Sequence, residues 1–189
     1  MLANGAAIGI AESVATIMVN LTEVRPTLLF SVPRIFNKIY EGVNKKLDKQ
    51  GGVKQWLFGK ALDNSAQRSK LADEGKVSWW VDKKHAFFDK KVFSTIRERF
   101  GGRLRYAFSG GAALSPSVAM FIDNLGIMVY EGYGLSETSP VVCANGPGRR
   151  RIGSVGRAIA GVAVKIVPVS HLDEPGVGEI VVYGDNVMK

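Results

Sequence analysis

Cysteine is almost missing from this chain of 189 residues, in which Cys143 is the single example. One cysteine cannot form a disulfide within the chain, which fits a reducing compartment such as the cytoplasm. Cys143 follows a short apolar run, and neither histidine is near it in sequence. We therefore expect it to be a buried residue without a catalytic role.

Long hydrophobic runs are also lacking, although 46% of the residues are hydrophobic. No stretch of about 18 apolar residues occurs, so the sequence predicts no transmembrane helix. The apolar opening, residues 1–10, lacks the basic flank that a signal peptide has. The composition instead predicts a packed core of one domain, or of one domain and part of a second.

Acidic residues are outnumbered, with 17 Asp and Glu against 25 Lys and Arg, and the net charge is +8. A solvated basic surface and a peripheral contact with an anionic membrane are both compatible with this excess. We expect no nucleic-acid partner, because no recognised nucleic-acid-binding module is present. Much of the positive charge is clustered in four groups: Lys45, Lys46 and Lys49; Lys83, Lys84, Lys90 and Lys91; Arg97, Arg99, Arg103 and Arg105; and Arg149, Arg150 and Arg151.

Extended and helical patterns alternate along the first fifty residues. Residues 6–10 and 27–32 are typical of buried strands, and residues 14–24 carry a helical apolar stripe. Pro33 opens a long amphipathic helix that ends at a Gly-Gly pair. This order predicts an α/β fold with a mainly parallel sheet flanked by helices.

The pattern changes twice further along the chain. A helical insert of about residues 47–100 is followed by a mixed region, and after residue 150 glycines and short β runs replace helices. We therefore expect an α/β unit over residues 1–150 and a partial β-rich subdomain over residues 151–189. Within these units the pattern predicts helices over 53–71 and 78–100, strands over 162–167 and 179–183, and a turn over 173–176.

Two glycine-containing segments follow predicted strands. The Gly-Gly loop, residues 109–112, comes after an apolar strand and before a helix with Ser115 as its N-cap. The Tyr-Gly segment, residues 130–138, follows the next apolar run. In a parallel sheet both would emerge at the carboxyl ends of neighbouring strands, where open α/β sheets bind ligands. A flat ring, glycines, hydroxyls and a carboxylate together indicate a nucleotide site.

These two segments resemble core motifs of the adenylate-forming enzymes, a superfamily that includes acyl-CoA synthetases, luciferases and nonribosomal adenylation domains. Residues 153–166 and 178–188 resemble two further motifs in the same order. Nearer the N-terminus, residues 21–40 are similar to the larger type of long-chain fatty acid–CoA ligase. That type also carries a long helical stretch before the Gly-Gly loop.

The resemblance implies that this chain is a central fragment of such a ligase. The family's phosphate loop with its lysine, its ribose-binding aspartate and its C-terminal domain with the catalytic lysine have no counterpart in these 189 residues. We therefore expect no turnover by this chain alone. A divided parallel sheet exposes strand edges, so we also expect self-association, for example as a swapped or edge-paired dimer.

For the intact enzyme the resemblance implies two half-reactions. A fatty carboxylate attacks the α-phosphate of ATP in the presence of Mg²⁺, which releases pyrophosphate and gives an acyl-adenylate; the thiol of CoA then attacks that anhydride. A sister enzyme that passes the acyl group to another acceptor remains an alternative. A non-catalytic adenine-nucleotide-binding domain is the other alternative.

The resemblance also assigns roles to individual residues. Tyr133 would stack on the adenine, the hydroxyl of Ser136 would hydrogen-bond the α-phosphate, and Glu137 would hold Mg²⁺. Ser136 and Glu137 are therefore the catalytic candidates. Glu131 would accept a hydrogen bond from the adenine amine, or else be a solvated loop carboxylate, and Gly132 and Gly134 would shape the backbone. The nucleotide-binding set is Gly110, Gly111, Ala112, Glu131, Gly132, Tyr133 and Gly134.

Two further features leave alternatives open. The apolar stripe of the helical insert, at Phe88, Val92, Ile96 and Phe100, predicts core packing, and a lining for a fatty acyl chain is its alternative. The arginines at 149–151 predict a solvated cluster, and attraction to the phosphates of ATP or CoA is their alternative.

Overall fold

The computed structural model describes residues 5–169 and 176–188. Helices and strands alternate through the first two thirds, and short strands fill the remainder. The elements are α1 (Ile17–Val24), β1 (Leu28–Ser31), α2 (Pro33–Gln50), α3 (Gly52–Asp73), α4 (Trp79–Phe88), a π-helical turn (Asp89–Phe93), α5 (Ser94–Arg97), a 3-10 turn (Glu98–Phe100), β2 (Tyr106–Ser109), α6 (Pro116–Asn124), β3 (Met128–Tyr133), a second 3-10 turn (Ser136–Thr138), β4 (Cys143–Ala144), β5 (Arg157–Ala158), β6 (Val162–Pro168) and β7 (Gly178–Gly184).

A mixed five-stranded sheet forms the centre of the structure, in the order β1-β2-β3-β4-β5. The first three strands are parallel, and β4 and β5 add to β3 in antiparallel fashion. Strands β6 and β7 form a separate antiparallel pair. The predicted α/β fold is thus confirmed. The predicted domain boundary at residue 150 stays a prediction, although β5 lies beyond it in sequence and still joins the main sheet.

The hydrophobic core lies between one face of the sheet and the helices. Leu29, Ala107 and Val129 stand side by side across β1, β2 and β3 and point into this core. The long helix α2 begins at a proline in its first turn, where the missing N–H has no helical partner to lose. Side chains from three helices complete the core: Ile35, Phe36 and Ile39 of α2, Phe58 and Ala61 of α3, and Val118, Phe121 and Ile122 of α6.

The opposite face of the sheet carries a row of aromatic rings. Phe30 and Phe108 stack with ring centroids 5.2 Å apart, and Tyr130 follows at 5.3 Å from Phe108. Phe30 is 59% exposed, and Tyr106 and Met128 on the same face are also exposed. Parallel sheets normally bury both faces. This aromatic face therefore has the composition of a surface that another layer of protein would cover.

The helical insert is a hairpin in which α3 packs against a second helical stretch that begins with α4. Helix α4 lies against α3 through a hydrogen bond from the Asn64 amide to the Val81 carbonyl and a contact of the Ser65 hydroxyl with the His85 ring. The helix predicted over 78–100 is confirmed as one continuous helical stretch from Trp79 to Phe100, although a π-helical turn interrupts its α-helical hydrogen bonding and its last turn is a 3-10 turn. The Arg97 guanidinium reaches back to the Asp89 carboxylate and forward to the Leu125 carbonyl, which holds this irregular segment in place.

Two other expectations for the first part of the chain change. Residues 6–10 form an exposed irregular segment instead of a strand, because none of the described strands lies beside their apolar run to pair with it. Helix α1 begins at Ile17 rather than at residue 14. Most of the turn predicted over 173–176 lies outside the described residues. Among the described helices, none combines the length and the apolar character needed to cross a bilayer.

Candidate functional site

The Gly-Gly loop and the Tyr-Gly segment lie next to each other because the strands that lead into them are adjacent and parallel. Ser109 at the end of β2 is level with Glu131 of β3. A β-carbon on Gly110 would lie 3.9 Å from the Gly132 carbonyl oxygen, so the two segments are in van der Waals reach. Gly111 has a φ of 82°, the left-handed conformation that glycine adopts without strain.

The first four residues of the Tyr-Gly segment belong to a strand. Strand β3 runs from Met128 through Tyr133, so the turn begins only at Gly134. Tyr130 is buried, whereas Tyr133 is partly exposed at the end of the strand. A nucleotide base that meets this edge of the sheet could therefore stack on Tyr133 but not on Tyr130.

Close backbone contact explains why glycine stands at 134. A β-carbon there would lie 1.7 Å from the Pro140 carbonyl oxygen and 2.7 Å from its carbonyl carbon. The next residues form a 3-10 turn that the buried Thr138 closes, since the Leu135 amide donates to the Thr138 hydroxyl at 3.0 Å. This supports the expectation that Gly134 acts on backbone shape.

Ser136 and Glu137 stand on the outer side of that 3-10 turn, and both are exposed. In the described part of the chain no three potential metal-binding side chains of His, Cys, Asp or Glu cluster together. Magnesium is commonly bound by one or two carboxylates together with substrate phosphates. A single accessible carboxylate at Glu137 is compatible with that mode.

Glu131 is the residue whose structural position differs most from expectation. It is only 8% exposed, so the alternative of a solvated loop carboxylate is wrong. One carboxylate oxygen accepts from the Leu114 amide at 3.3 Å, and the other accepts from the Gly153 amide at 3.1 Å. The side chain therefore joins β3 to the segment after the Gly-Gly loop and to residues near 153. A contact with the adenine amine stays a prediction.

A second buried polar residue, Asn145, fixes the shape of the segment of residues 145–154, and its backbone amide joins the segment to the Glu131 carbonyl of β3 at 2.9 Å. The Asn145 amide nitrogen donates to the Ser154 carbonyl, and its oxygen accepts from the Arg151 amide at 3.0 Å. Arg150 also points inward: its guanidinium donates to the Val129 carbonyl at 2.8 Å and pairs with Asp123 at 2.9 Å. A fully solvated arginine cluster is therefore wrong for Arg150.

The C-terminal end of the described chain closes over the 3-10 turn. The Asn186 amide donates to the Thr138 carbonyl at 2.9 Å and to the Val141 carbonyl at 3.0 Å. The Met188 amide donates to the Glu137 carbonyl at 2.8 Å. Sequence reasoning missed Asn145 and Asn186. The signal available was an asparagine in a turn beside an unusual loop, which is common and weak.

Ser109 adds an unsatisfied polar group beside the loops. Its hydroxyl is buried, and among the described residues no atom hydrogen-bonds to it. Buried polar groups are normally paired, so an orphan at the start of the Gly-Gly loop fits a place where a polar ligand approaches. Cys143, two strands away, is buried as expected, and burial raises the pKa of its thiol, which keeps it protonated and unreactive.

Two cavities lie away from these loops, among the helices. One, of about 300 Å³, is an open pocket bordered by α2, α3 and the irregular segment before β2. The other, of about 600 Å³, lies between α1 and α2. Val92 and Ile96 of the predicted apolar stripe border the first cavity, whereas Phe100 borders the second and is otherwise core. A lining for an acyl chain stays a prediction.

Together the fold and the loops define an α/β protein in which two glycine-containing segments meet at the carboxyl edge of its parallel strands, the edge at which open α/β sheets bind ligands. The sequence profile of the AMP-binding enzyme family matches residues 1–189. The chain therefore belongs to the AMP-binding enzyme family.

Curated relatives carry names of one enzyme class. The chain is 36% identical over 193 aligned positions to the peroxisomal long chain acyl-CoA synthetase 7 of Arabidopsis thaliana. This alignment covers 98% of this chain and 26% of the relative. It is 33% identical to the long-chain-fatty-acid–CoA ligase FadD15 of Mycobacterium tuberculosis, over 87% of this chain and 27% of the relative. Human long-chain-fatty-acid–CoA ligase 1 is 29% identical, in an alignment that covers 100% of this chain and 26% of the relative. The chain thus spans about a quarter of the length of these relatives.

Solved structures agree on the fold. A malonyl-CoA ligase in a ternary product complex with methylmalonyl-CoA and AMP superposes with a TM-score of 0.53 at 23% identity, over 94% of this chain and 28% of that one. A long-chain-fatty-acid-CoA ligase of Archaeoglobus fulgidus superposes with a TM-score of 0.51 at 14% identity, over 94% of this chain and 28% of that one. At these identities the likeness concerns the fold alone.

Proposed function

We propose that this chain forms the adenine-nucleotide end of the large domain of an AMP-forming long-chain fatty acid–CoA ligase. The observation that carries the proposal is the placement of the Gly-Gly loop and the Tyr-Gly segment on adjacent parallel strands, in a chain that matches the AMP-binding family throughout. Open α/β sheets bind ligands at this edge. The names of the relatives support the long-chain class.

Different residues at the sheet edge would contact different parts of the nucleotide. Tyr133 offers its ring to the adenine, and Ser136 offers a hydroxyl to the α-phosphate. Glu137 offers one carboxylate to Mg²⁺, which when bound offsets the negative charge of the phosphates. The exposed positions of Ser136 and Glu137 on one 3-10 turn support this division, because both side chains are free to meet the same phosphate group.

The glycines and Glu131 prepare the backbone for that ligand. Gly110, Gly111 and Ala112 let the chain approach the base or ribose, and the unpaired hydroxyl of Ser109 lies at the base of the same loop. Gly132 and Gly134 set the path of the backbone around Tyr133. In this proposal Glu131 holds the Tyr-Gly segment, to which it belongs, to Leu114 just after the Gly-Gly loop and to Gly153, whether or not it also meets the adenine amine.

The proposed substrates of the whole protein are a fatty acid, ATP and CoA, and the proposed products of its first half-reaction are acyl-AMP and pyrophosphate. Residues at this sheet edge would position the reacting phosphate, and the Mg²⁺ that Glu137 would hold supplies the compensating positive charge. The residues described here concern the nucleotide rather than the final acyl acceptor. A sister enzyme with another acceptor is therefore the second candidate. On its own the chain is expected to bind without turnover.

Further proposals concern assembly and location. The exposed aromatic face and the outer edge of β1, which pairs with no other described strand, would support self-association of this chain, because they present apolar side chains and unpaired backbone groups respectively. We place the protein in the cytoplasm, at a membrane surface, with the basic helices as support. The Arabidopsis relative named above is peroxisomal, so a compartment measurement decides between these locations.

Calorimetric titration with a non-hydrolysable acyl-adenylate analogue, with and without Mg²⁺, tests the proposed site. We expect binding that Tyr133→Ala abolishes. Tyr183→Ala is the matched control, because Tyr183 is an exposed tyrosine on β7. Equal binding by the parent and the Tyr133→Ala variant, or no binding by a folded parent, would contradict the proposal.

A further inference from the structure

The outer side of helix α4 exposes large aromatic side chains. Trp79 and Trp80 are 56% and 69% exposed, and Phe87 is exposed two turns further along. Positions 79, 80, 83, 84 and 87 fall on one side of a helix, while Val81 on the other side is buried against α3. We call the five residues Trp79, Trp80, Lys83, Lys84 and Phe87 the tryptophan face.

The charge of this region is largely positive because three of its acids are already paired. Glu74 bonds to Lys76 at 2.8 Å, Asp82 to Arg68 at 2.8 Å, and Asp89 to Arg97 at 2.9 Å. The lysines of α4 and the following turn have no carboxylate partner in the described part of the chain. They are Lys83, Lys84, Lys90 and Lys91, and Lys83 lies 4.0 Å from the centre of the Trp79 ring. The surface is therefore aromatic and positive together.

This combination differs from the other exposed apolar surface of the chain. The aromatic face of the sheet, with Phe30, Phe108 and Tyr130, carries no charge, and it suits a covering layer of protein. Lysine is depleted from protein–protein interfaces because its ammonium group is costly to dehydrate. Tryptophan with lysine is instead typical of membrane surfaces, where the indole lies at headgroup depth and the ammonium meets lipid phosphate or carboxylate.

We propose that the tryptophan face binds the surface of an anionic lipid bilayer. Trp79, Trp80 and Phe87 enter the headgroup region, and Lys83 and Lys84 pair with anionic headgroups beside them. The proposal rests on the proposed function only for its purpose, namely to keep a fatty-acid-activating protein at the surface that holds its substrate. The lipid contact itself needs no residue of the nucleotide site.

Tryptophan fluorescence can assign the contact, because the chain has three tryptophans. Trp56 is the matched internal control: it is 63% exposed but lies near the start of α3, roughly 25 Å by helical rise from the end of that helix where the α4 hairpin begins. Two variants separate the signals. Trp56→Phe retains only Trp79 and Trp80, and the double variant Trp79→Phe/Trp80→Phe retains only Trp56.

The probe is vesicles of phosphatidylcholine, with or without phosphatidylserine. We expect the Trp56→Phe variant to show a blue shift and quenching by lipid-attached quenchers on phosphatidylserine vesicles. The Trp79→Phe/Trp80→Phe variant is expected to show neither change. A blue shift that comes from Trp56 instead, or no binding to phosphatidylserine vesicles by the folded parent, would overturn the proposal.

Charge variants test whether Lys83 and Lys84 pair with anionic lipid headgroups. The double variant Lys83→Gln/Lys84→Gln is expected to weaken binding to phosphatidylserine vesicles about twenty-fivefold, at roughly fivefold for each lysine near the surface. Lys45→Gln/Lys49→Gln, on exposed positions of α2, is the matched control and should bind like the parent. If both double variants bind vesicles equally weakly, net charge alone explains the effect, and the assignment of lipid binding to the tryptophan face is overturned.

Two measurements distinguish the lipid proposal from the proposed nucleotide site and from a contact between copies of the chain. The Tyr133→Ala variant should lose the acyl-adenylate analogue but bind vesicles normally, so failure of either proposal shows separately. Sedimentation velocity of Trp79→Ala/Trp80→Ala reports on contacts between copies. If that variant dissociates an oligomer and still binds vesicles like the parent, the tryptophan face is a contact between copies and the lipid proposal is wrong.

Discussion

The replacement Glu131→Gln tests whether a predicted ligand residue is instead a structural clamp. The carboxylate of Glu131 is buried and accepts two backbone amides, from Leu114 and Gly153. Glutamine has the same shape but only one accepting oxygen. Its NH₂ group would therefore face one of these two N–H donors, and that donor would lose its partner.

The expected cost follows from those two contacts. A hydrogen bond to a charged group contributes about 1.5–3 kcal/mol, and a buried donor without a partner costs about 1–3 kcal/mol. We therefore expect Glu131→Gln to lower the free energy of unfolding by about 2–4 kcal/mol. For a chain of this size that corresponds to a fall in Tm of about 4–16 °C.

Thermal and urea unfolding, followed by circular dichroism, measure this loss. Glu137→Gln is the matched control from the same motif, because Glu137 is exposed, and its unfolding free energy should change by less than about 0.5 kcal/mol. The control should instead weaken the Mg²⁺-dependent part of analogue binding. If Glu131→Gln unfolds like the parent while binding alone is lost, the clamp interpretation is refuted.

Three other predictions concern the same structure. Gly134→Ala should cost about 3 kcal/mol or more by chemical denaturation, because its new methyl group would overlap a backbone carbonyl, whereas Gly110→Ala should be nearly neutral; equal costs would count against the backbone explanation. Asn186→Ala removes two hydrogen bonds to backbone carbonyls, so amide exchange should rise at least about fivefold in residues 136–138 and 184–188, and unchanged exchange would show that the amide bonds do not hold the segment. The pKa of His85 lies below 6.5 because of burial, and that of Asp89 lies below 3.8 because its arginine partner hydrogen-bonds it. Both groups favour the deprotonated state in the folded chain, so stability should fall as pH drops below 6.5 and again below 3.8; replacement of His85 by Gln should flatten the first decline, and an unchanged slope would be contrary to this assignment.

The parts of the fold that the sequence predicted are those with a local signal. Pro33 at a helix start and the apolar run before the Gly-Gly loop each fix one element within a few residues. The failure at residues 6–10 has a clear reason: an apolar pentapeptide becomes a strand only when another strand lies beside it. The π-helical turn at Asp89–Phe93 has no signal in the sequence, because the contact of Arg97 with the Leu125 carbonyl, which helps to hold it, is tertiary.

The candidate site shows the same division. Tyr133, Ser136 and Glu137 could be proposed from their spacing in a motif. The buried position of Glu131 could not, because its partners at Leu114 and Gly153 are 17 and 22 residues away in sequence. Composition alone suggested solvation for Arg150, whereas a single acid at Asp123 brings it inside.

Hydrogen–deuterium exchange tests the central claim most directly, namely that the Gly-Gly loop and the Tyr-Gly segment form one adenylate site. Exchange is measured on the parent chain with and without the acyl-adenylate analogue and Mg²⁺, with Tyr133→Ala as the control. We expect the analogue to protect residues 109–112 and 131–138 together, and to protect neither in the variant. Protection of only one segment, or protection confined to the helical cavities, would contradict the account.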